Sequence, residues 1–478
     1  MACSMASPEQ SAARMQIPKM TEAEYRQFSE LIHQEAVSPL GELQRLNLIE
    51  DMIRARLANR IDRILQNLLQ KGHPEDRARK FLNTVVQPIH IDHFRVGSET
   101  HNLIVSKGSG READYTIMIP AHVDTVGPAD REDLLQLRRD PVDGDRLRGR
   151  GVWDMGGALL NSIALAVDSK VPPGMQVYFV FTVDEEGNSE GALNLIVRWP
   201  EWQKVDLVLS SEIGQLVAPP GPEDKKMRII LGRRGRGKFT AQLSLDERKL
   251  GHGARDDLPD LHTEHVIACW YLLNRFRSGG TMLHSFLGQE GLEVVTQWGR
   301  QHKPGGFGNL QSLEWHYALK IVPPNSLAEA IAVQTAIFKE IATKRDWVKR
   351  GIGHLLSPRG DETSYEPFCM EPDDCASVHV VSNAIEKVSG QAAVLTGGRS
   401  VADENLYAAT MFERLGTRTF AGTDKGVISV PMIGNHAHSS NEWVSSWDIM
   451  RVREVFRFLI EHEEGFSQFL KSRRTAQQ

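Results

Sequence analysis

Between residues 103 and 209, short apolar segments alternate with helix-length ones, and this alternation limits the fold more than any other feature of the chain. Residues 103–105, 115–119, 175–182 and 205–209 read as strands; residues 157–167 and 189–199 read as helices. Continuously apolar strands joined through helices imply an α/β sheet, at least partly parallel, with helices on both faces. The pattern changes after Gly232, where KFTAQLSL alternates as a strand with one exposed face and helices are expected at 265–276 and 326–342. The α/β pattern returns after Cys375, with helices expected at 376–388, 401–415 and 449–470. Upstream, Leu46, Ile49, Ile53, Leu57, Ile61, Ile64 and Leu68 recur at helical spacing within 43–69, with room for one break, and a second helix follows Pro74. The expected organisation is an α/β domain in two parts, 85–232 and 366–478. A smaller α+β domain, 233–365, interrupts it, and a tail with helices, 1–84, packs on it.

Composition narrows the function. Lys and Arg number 56 against 62 Asp and Glu, a net charge of −6. A mildly acidic chain is a poor binder of nucleic acid or anionic membrane, which need clustered cations. No apolar run approaches the roughly 20 residues of a membrane helix. The first twenty residues lack a signal-peptide core and read as a loose tail. Four cysteines, Cys3, Cys269, Cys369 and Cys375, cannot make a disulfide framework. The expectation is a soluble, cytoplasmic protein with a small-molecule substrate.

In open α/β sheets ligands sit beyond the carboxyl ends of the strands. Those ends read His122-Val123-Asp124, Val183-Asp184-Glu185-Glu186-Gly187 and Ser211-Glu212-Ile213-Gly214. Two further segments share their character: Gly149-Arg150-Gly151-Val152-Trp153-Asp154-Met155-Gly156-Gly157, and His436-Ala437-His438-Ser439-Ser440-Asn441-Glu442. Imidazole suits zinc, and a carboxylate can bridge two metals or hold a nucleophilic water. Several carboxylates gathered without cations would repel and be driven towards protonation.

With HVDTV, GRGVWDMGG, VDEEG, SSEIG and HSSNE in this order, the chain resembles the ArgE/DapE/aminoacylase family of co-catalytic zinc metallopeptidases, from about residue 85 onward. The resemblance implies a zinc-exopeptidase-like sheet, two zinc ions (cobalt or manganese as substitutes) and hydrolysis of an N-acyl amino acid, dipeptide or amino-acid conjugate. It implies His122 and Glu212 on one metal, Glu186 and His438 on the other, and Asp154 as their bridge. Asp124 resembles the carboxylate that fixes the His122 tautomer. Glu185 resembles the general base that moves a proton from the attacking water to the leaving amine. The insertion resembles a lid and homodimerisation domain whose histidine, here matched by His252, stabilises the oxyanion. Arg399 and Arg255 are candidates for holding a substrate carboxylate.

Other readings compete. His90-Ile91-Asp92-His93 also contains His-x-Asp, but lacks the preceding apolar strand and the following GRGVWD. Asp154 suits a helix N-cap as well as a bridge. His436 competes with His438, and His252 with an ordinary loop histidine. His262 and His265, one turn apart, read as a surface helix. Gly156 stands where the family usually has Lys, and Ala318-Leu319-Lys320 where many members have Asp-x-Arg. A metal-poor homologue that binds without turnover is the alternative function; its mark, a lost ligand or lost Glu185, is not seen.

Overall fold

A computed structural model of the chain describes residues 16–34, 36–37, 39–128, 131–213, 225–245, 260–277, 283–289, 291–293, 298–302, 310–358 and 363–477. Among the described residues nine strands form the main sheet. Its order is His90–Arg95, His101–Gly108, Met175–Thr182, Tyr115–His122, Leu207–Ser210, Gly426–Ser429, Arg228–Arg233 and Phe368–Cys369, with Val394–Gly398 also on Arg228–Arg233. The two central strands are parallel and in register from Tyr115 opposite Met175 to His122 opposite Thr182. Every residue of both is buried. The register brings the carboxyl ends of both strands to one edge of the sheet, and Leu207–Ser210, parallel to Tyr115–His122, leaves by the same edge.

Helices flank this sheet in two groups. Pro39–Gln70, Gly157–Asp168, Ser446–Glu461 and Ala376–Ser389 are successive neighbours, and Glu190–Arg198 packs on Asp403–Leu415. Gly157–Asp168 is buried along its whole length up to Val167, as a helix between a sheet and other helices must be. The amino-terminal helix runs unbroken from Pro39 to Gln70. The carboxyl-terminal helix, expected to be continuous, is instead two, Ser446–Glu461 and Ser467–Gln477. Gly465 sits in the break because any Cβ there would lie 2.4 Å from the Leu459 carbonyl. The turn lets Phe466 fold into the core, fully buried.

The insertion has its own sheet. Gly235–Leu245 lies between Leu310–Ile321 and Ile352–Pro358, all antiparallel, and alternates buried and half-buried residues along its length. Helices Leu261–Arg277 and Leu327–Lys344 cover one face over a second core that includes Phe239, Trp315, Tyr317, Phe338 and Trp347. Here the surface reading is corrected for His265, while His262 stays half-buried. His265 is buried, edge-on to Trp315, with Nε2 3.1 Å from Cys269 Sγ. Its neighbour Glu264 is buried too, accepting from Arg345, Arg350 and Trp347 Nε1. That side of the helix faces the sheet, and a buried carboxylate is tolerable because three donors meet it.

Candidate metal centre

His122 leaves the sheet at the end of a wholly buried strand. Its Nδ1 lies 3.1 Å from the Asp124 carbonyl and 3.3 Å from Asp124 Oδ1. Its Nε2 lies 3.0 Å from Asp154 Oδ1 and 3.5 Å from Glu212 Oε2. The second Asp154 oxygen, Oδ2, is 3.0 Å from His438 Nε2, which is also 2.9 Å from Glu186 Oε1. Asp154 therefore stands between two imidazoles, one per carboxylate oxygen, with Glu212 beside one ring and Glu186 beside the other. Ligand atoms of His122, Asp154 and Glu186 all lie within 4.8 Å of one another, close enough to share one ion.

Asp154 does not cap the helix that follows it. The residue at that cap is Gly156, without a side-chain bond, and Asp154 has φ −111° and ψ 91° in an irregular segment, Val152–Gly156, with a cis peptide before Met155. A residue to which the sequence reading gave no role holds this segment. Buried Glu442 accepts from the main-chain N–H groups of Gly151, Trp153 and Asp154 at 3.0, 3.0 and 3.1 Å, and lies 3.4 Å from Arg150 Nη1. The only signal for it in the sequence was its spacing from His438, His438-x-x-x-Glu442. Asp403, likewise without an assigned role, is buried beside His122, Glu185 and Glu212.

The electrostatics are those of crowded carboxylates. Burial drives Glu212 well above the usual range, and Asp154 adds to the effect. Burial does the same to Glu185 against the pull of His122, with Glu212, Asp403 and Glu186 adding to it. Burial also raises Glu186, although its bond to His438 opposes the shift. Bonds to Asp154 and Glu186 push His438 up to about 10. Burial would lower His122, but Asp124 and Asp154 outweigh it and raise it well above its ordinary value. Asp154 is held down despite burial, because both imidazoles bond to it. The cluster in this form draws protons onto its histidines; divalent cations in the same place would discharge it more completely.

The remaining expected residues fall as follows. His436, in left-handed backbone, lines the same cavity as His438, and its main-chain N–H and carbonyl bond to Asn435 Oδ1 and Ser439 Oγ. His93 lies on the edge strand, with Nε2 2.8 Å from Glu50 Oε2, remote from the cluster. His252 and Arg255 lie outside the described residues. Arg399 lines two adjoining cavities. One, of about 650 Å3, contains Asp154, Glu185, Glu186, Glu212 and His438. The other, of about 330 Å3, lies between Glu185 and Glu186 on one side and Arg236, Lys238 and Lys320 of the insertion's sheet on the other.

Residues 118–462 match the profile of Peptidase family M20/M25/M40. A succinyl-diaminopimelate desuccinylase of Gluconobacter oxydans is 24% identical over 337 residues, 66% of this chain and 79% of that protein. The di-peptidase Dug1p of Saccharomyces cerevisiae superposes with a TM-score of 0.56 at 15% identity, over 91% of this chain and 94% of its own. The aminopeptidase PepT of Bacillus cereus superposes with a TM-score of 0.58 at 15% identity, over 93% of this chain and 98% of its own.

Proposed function

The chain belongs to Peptidase family M20/M25/M40, and from that premise we propose that it hydrolyses a small amide or peptide bond with two divalent metals, zinc first among them. The observation that carries the reading is Asp154, with an imidazole Nε2 3.0 Å from each of its oxygens. The donor set fits such ions: two imidazoles and three carboxylates, with His122 and Glu212 on one side of Asp154 and Glu186 and His438 on the other. Bound there, the metals supply Lewis acidity and a lowered pKa for a water.

The chain's own residues do the rest. Asp124, at the far nitrogen of His122, holds the ring with Nε2 presented to the centre. Glu185 faces the cavity and is the proton carrier: it takes a proton from the attacking water and delivers it to the leaving amine as the C–N bond breaks. His252 in the insertion is assigned to the oxyanion. A homodimer through the insertion and a cytoplasmic location complete the reading.

The substrate is anionic. Arg236 and Lys320 are directly opposed across the insertion's sheet, and Lys238 follows on the same face. Like charges so opposed destabilise a sheet, and these two line the cavity that also holds Arg399. A carboxylate-bearing N-acyl amino acid, dipeptide or β- or γ-linked conjugate suits a cavity lined by these cations. The test is a mass-spectrometry panel of such compounds, given to zinc-supplemented protein and to Glu185→Gln. Cleavage by the first and loss of most turnover in the second is expected. No cleavage by a protein that holds no metal would instead mean a binding protein without turnover.

A further inference from the structure

We propose that the amino-terminal helix Pro39–Gln70 is a positioning element of the metal centre, acting through Glu42 and Arg45. The inference rests on the metal reading above. Arg45 is 2% exposed, and its Nη1 donates to the Val123 carbonyl at 2.6 Å, between His122 and Asp124. Its Nη2 donates to the Gln34 carbonyl, which ties the helix to the turn before it. One turn earlier, buried Glu42 accepts the Asp184 N–H at 2.9 Å, at the residue before Glu185 and Glu186. Asp184 has φ +60°, a conformation that a non-glycine residue keeps only when its surroundings impose it. Glu42 is one of those constraints; the Asp184 carboxylate, accepting from Asn188 and Glu190 at 3.1 and 3.2 Å, is another. A third tie, from Thr125 N–H to the Ala36 carbonyl at 3.0 Å, anchors the segment after Asp124.

One helix end thus grips the segment after His122 and the loop that carries Glu185 and Glu186. The preceding helix, Glu22–His33, reaches the segment that carries Asp154. A Cβ on Gly156 would lie 2.5 Å from the Gly151 carbonyl, 2.9 Å from Ile32 Cδ1 and 3.0 Å from Phe28 Cε2. The amino-terminal helices therefore occupy the space that a side chain would need at the position following Asp154-Met155. Burying a guanidinium is expensive and is weak evidence of stabilisation in itself. Here one of its bonds goes to the backbone between His122 and Asp124 and the other fixes the helix to the preceding turn, which is what a positioning role requires.

Metal-stripped wild type, Arg45→Met, Arg45→Lys, Glu42→Ala and Glu42→Gln would be titrated with zinc against a chromophoric chelator, and their metal-free melting curves recorded. Turnover of a cleaved panel compound would be split into kcat and KM. Arg45→Met and Glu42→Ala should bind zinc about 10- to 100-fold more weakly and lose kcat with little change in KM. Arg45→Lys and Glu42→Gln, which still donate and accept, should recover much of the affinity. Variants that melt lower but bind zinc and turn over like wild type would overturn the proposal and leave the helix a structural prop. Should Arg45→Met not fold, Glu42→Ala decides on the same terms. A wild type that takes up no zinc would overturn the metal reading itself, and the proposal with it.

Discussion

The main-chain N–H of Glu186 donates to Asp124 Oδ2 across 2.8 Å. The other Asp124 oxygen lies 3.3 Å from His122 Nδ1, so one carboxylate ties the ends of two strands together, with Glu186 62 residues beyond Asp124 in sequence. Its loss should loosen both at once. Asp124→Asn places an amide NH2 against one of two donors, and Asp124→Ala removes both bonds. Zinc affinity should fall about 10- to 100-fold for the first and further for the second. Competition with a chelator measures this; wild-type affinity in both variants would refute the role.

The metal-free protein should lose stability as pH rises. Burial, reinforced by Asp154, lifts Glu442 to about 7, and burial lifts Asp403 to about 7 against the pulls of Ser189 and His122. Both hold their protons more tightly folded than unfolded. Their contribution is therefore greatest below the ordinary carboxylate range and is lost as pH rises through 7. His438, lifted to about 10, contributes fully below its ordinary 6.5 and loses that contribution as pH rises through 10. The two effects have the same sign. Melting of stripped protein should be lower at pH 8.5 than at pH 5.5, and zinc should raise Tm more at pH 8.5, where fewer protons have to leave its ligands. A stripped protein that gains stability over this window would show the cluster to be charged otherwise.

The parts of this arrangement legible in the sequence are those carried by local pattern. Met175–Thr182 is a strand over the residues expected because eight apolar or buried positions in a row allow little else. A parallel sheet sends successive strand ends to one edge, so His122, Glu185, Glu186 and Glu212 could be grouped from their places after apolar runs alone. His438 and Asp154 needed the family resemblance, since neither follows a long strand. Glu442 stands within the HSSNE motif, yet its three bonds to a segment nearly 290 residues away leave no periodicity to read. Glu42 and Arg45 were hidden for the opposite reason. Helical spacing reports which side of Pro39–Gln70 is apolar, and Leu46, Ile49 and Ile53 account for it without them. The break at Gly465 was missed because apolar residues resume at Phe466 in near-helical phase.

Gly156 offers a direct test of how the amino-terminal helices fit. A lysine there, the residue usual in the family, would put its Cβ 2.5 Å from the Gly151 carbonyl and 2.9 and 3.0 Å from Ile32 Cδ1 and Phe28 Cε2, so that backbone and the side chains of Glu22–His33 would have to move. Gly156→Lys should therefore cost roughly 1–3 kcal/mol, the usual range for overpacking a filled site, and should expose the first helix to proteolysis. Unchanged melting and unchanged digestion would mean that the helix yields freely.

Selectivity should be written on the insertion's sheet. Lys320 faces Arg236 in register, and both line the cavity shared with Arg399. A carboxylate bound in this cavity meets both charges. Lys320→Gln removes one charge and leaves a side chain of similar reach. For a substrate with a carboxylate beyond the scissile amide, KM should rise about tenfold with kcat little changed, since uniform binding is what is lost. For the corresponding substrate amidated at that carboxylate, KM should move far less. Equal changes for the two substrates would place the carboxylate elsewhere in the cleft and return Arg399 to the role of its main partner.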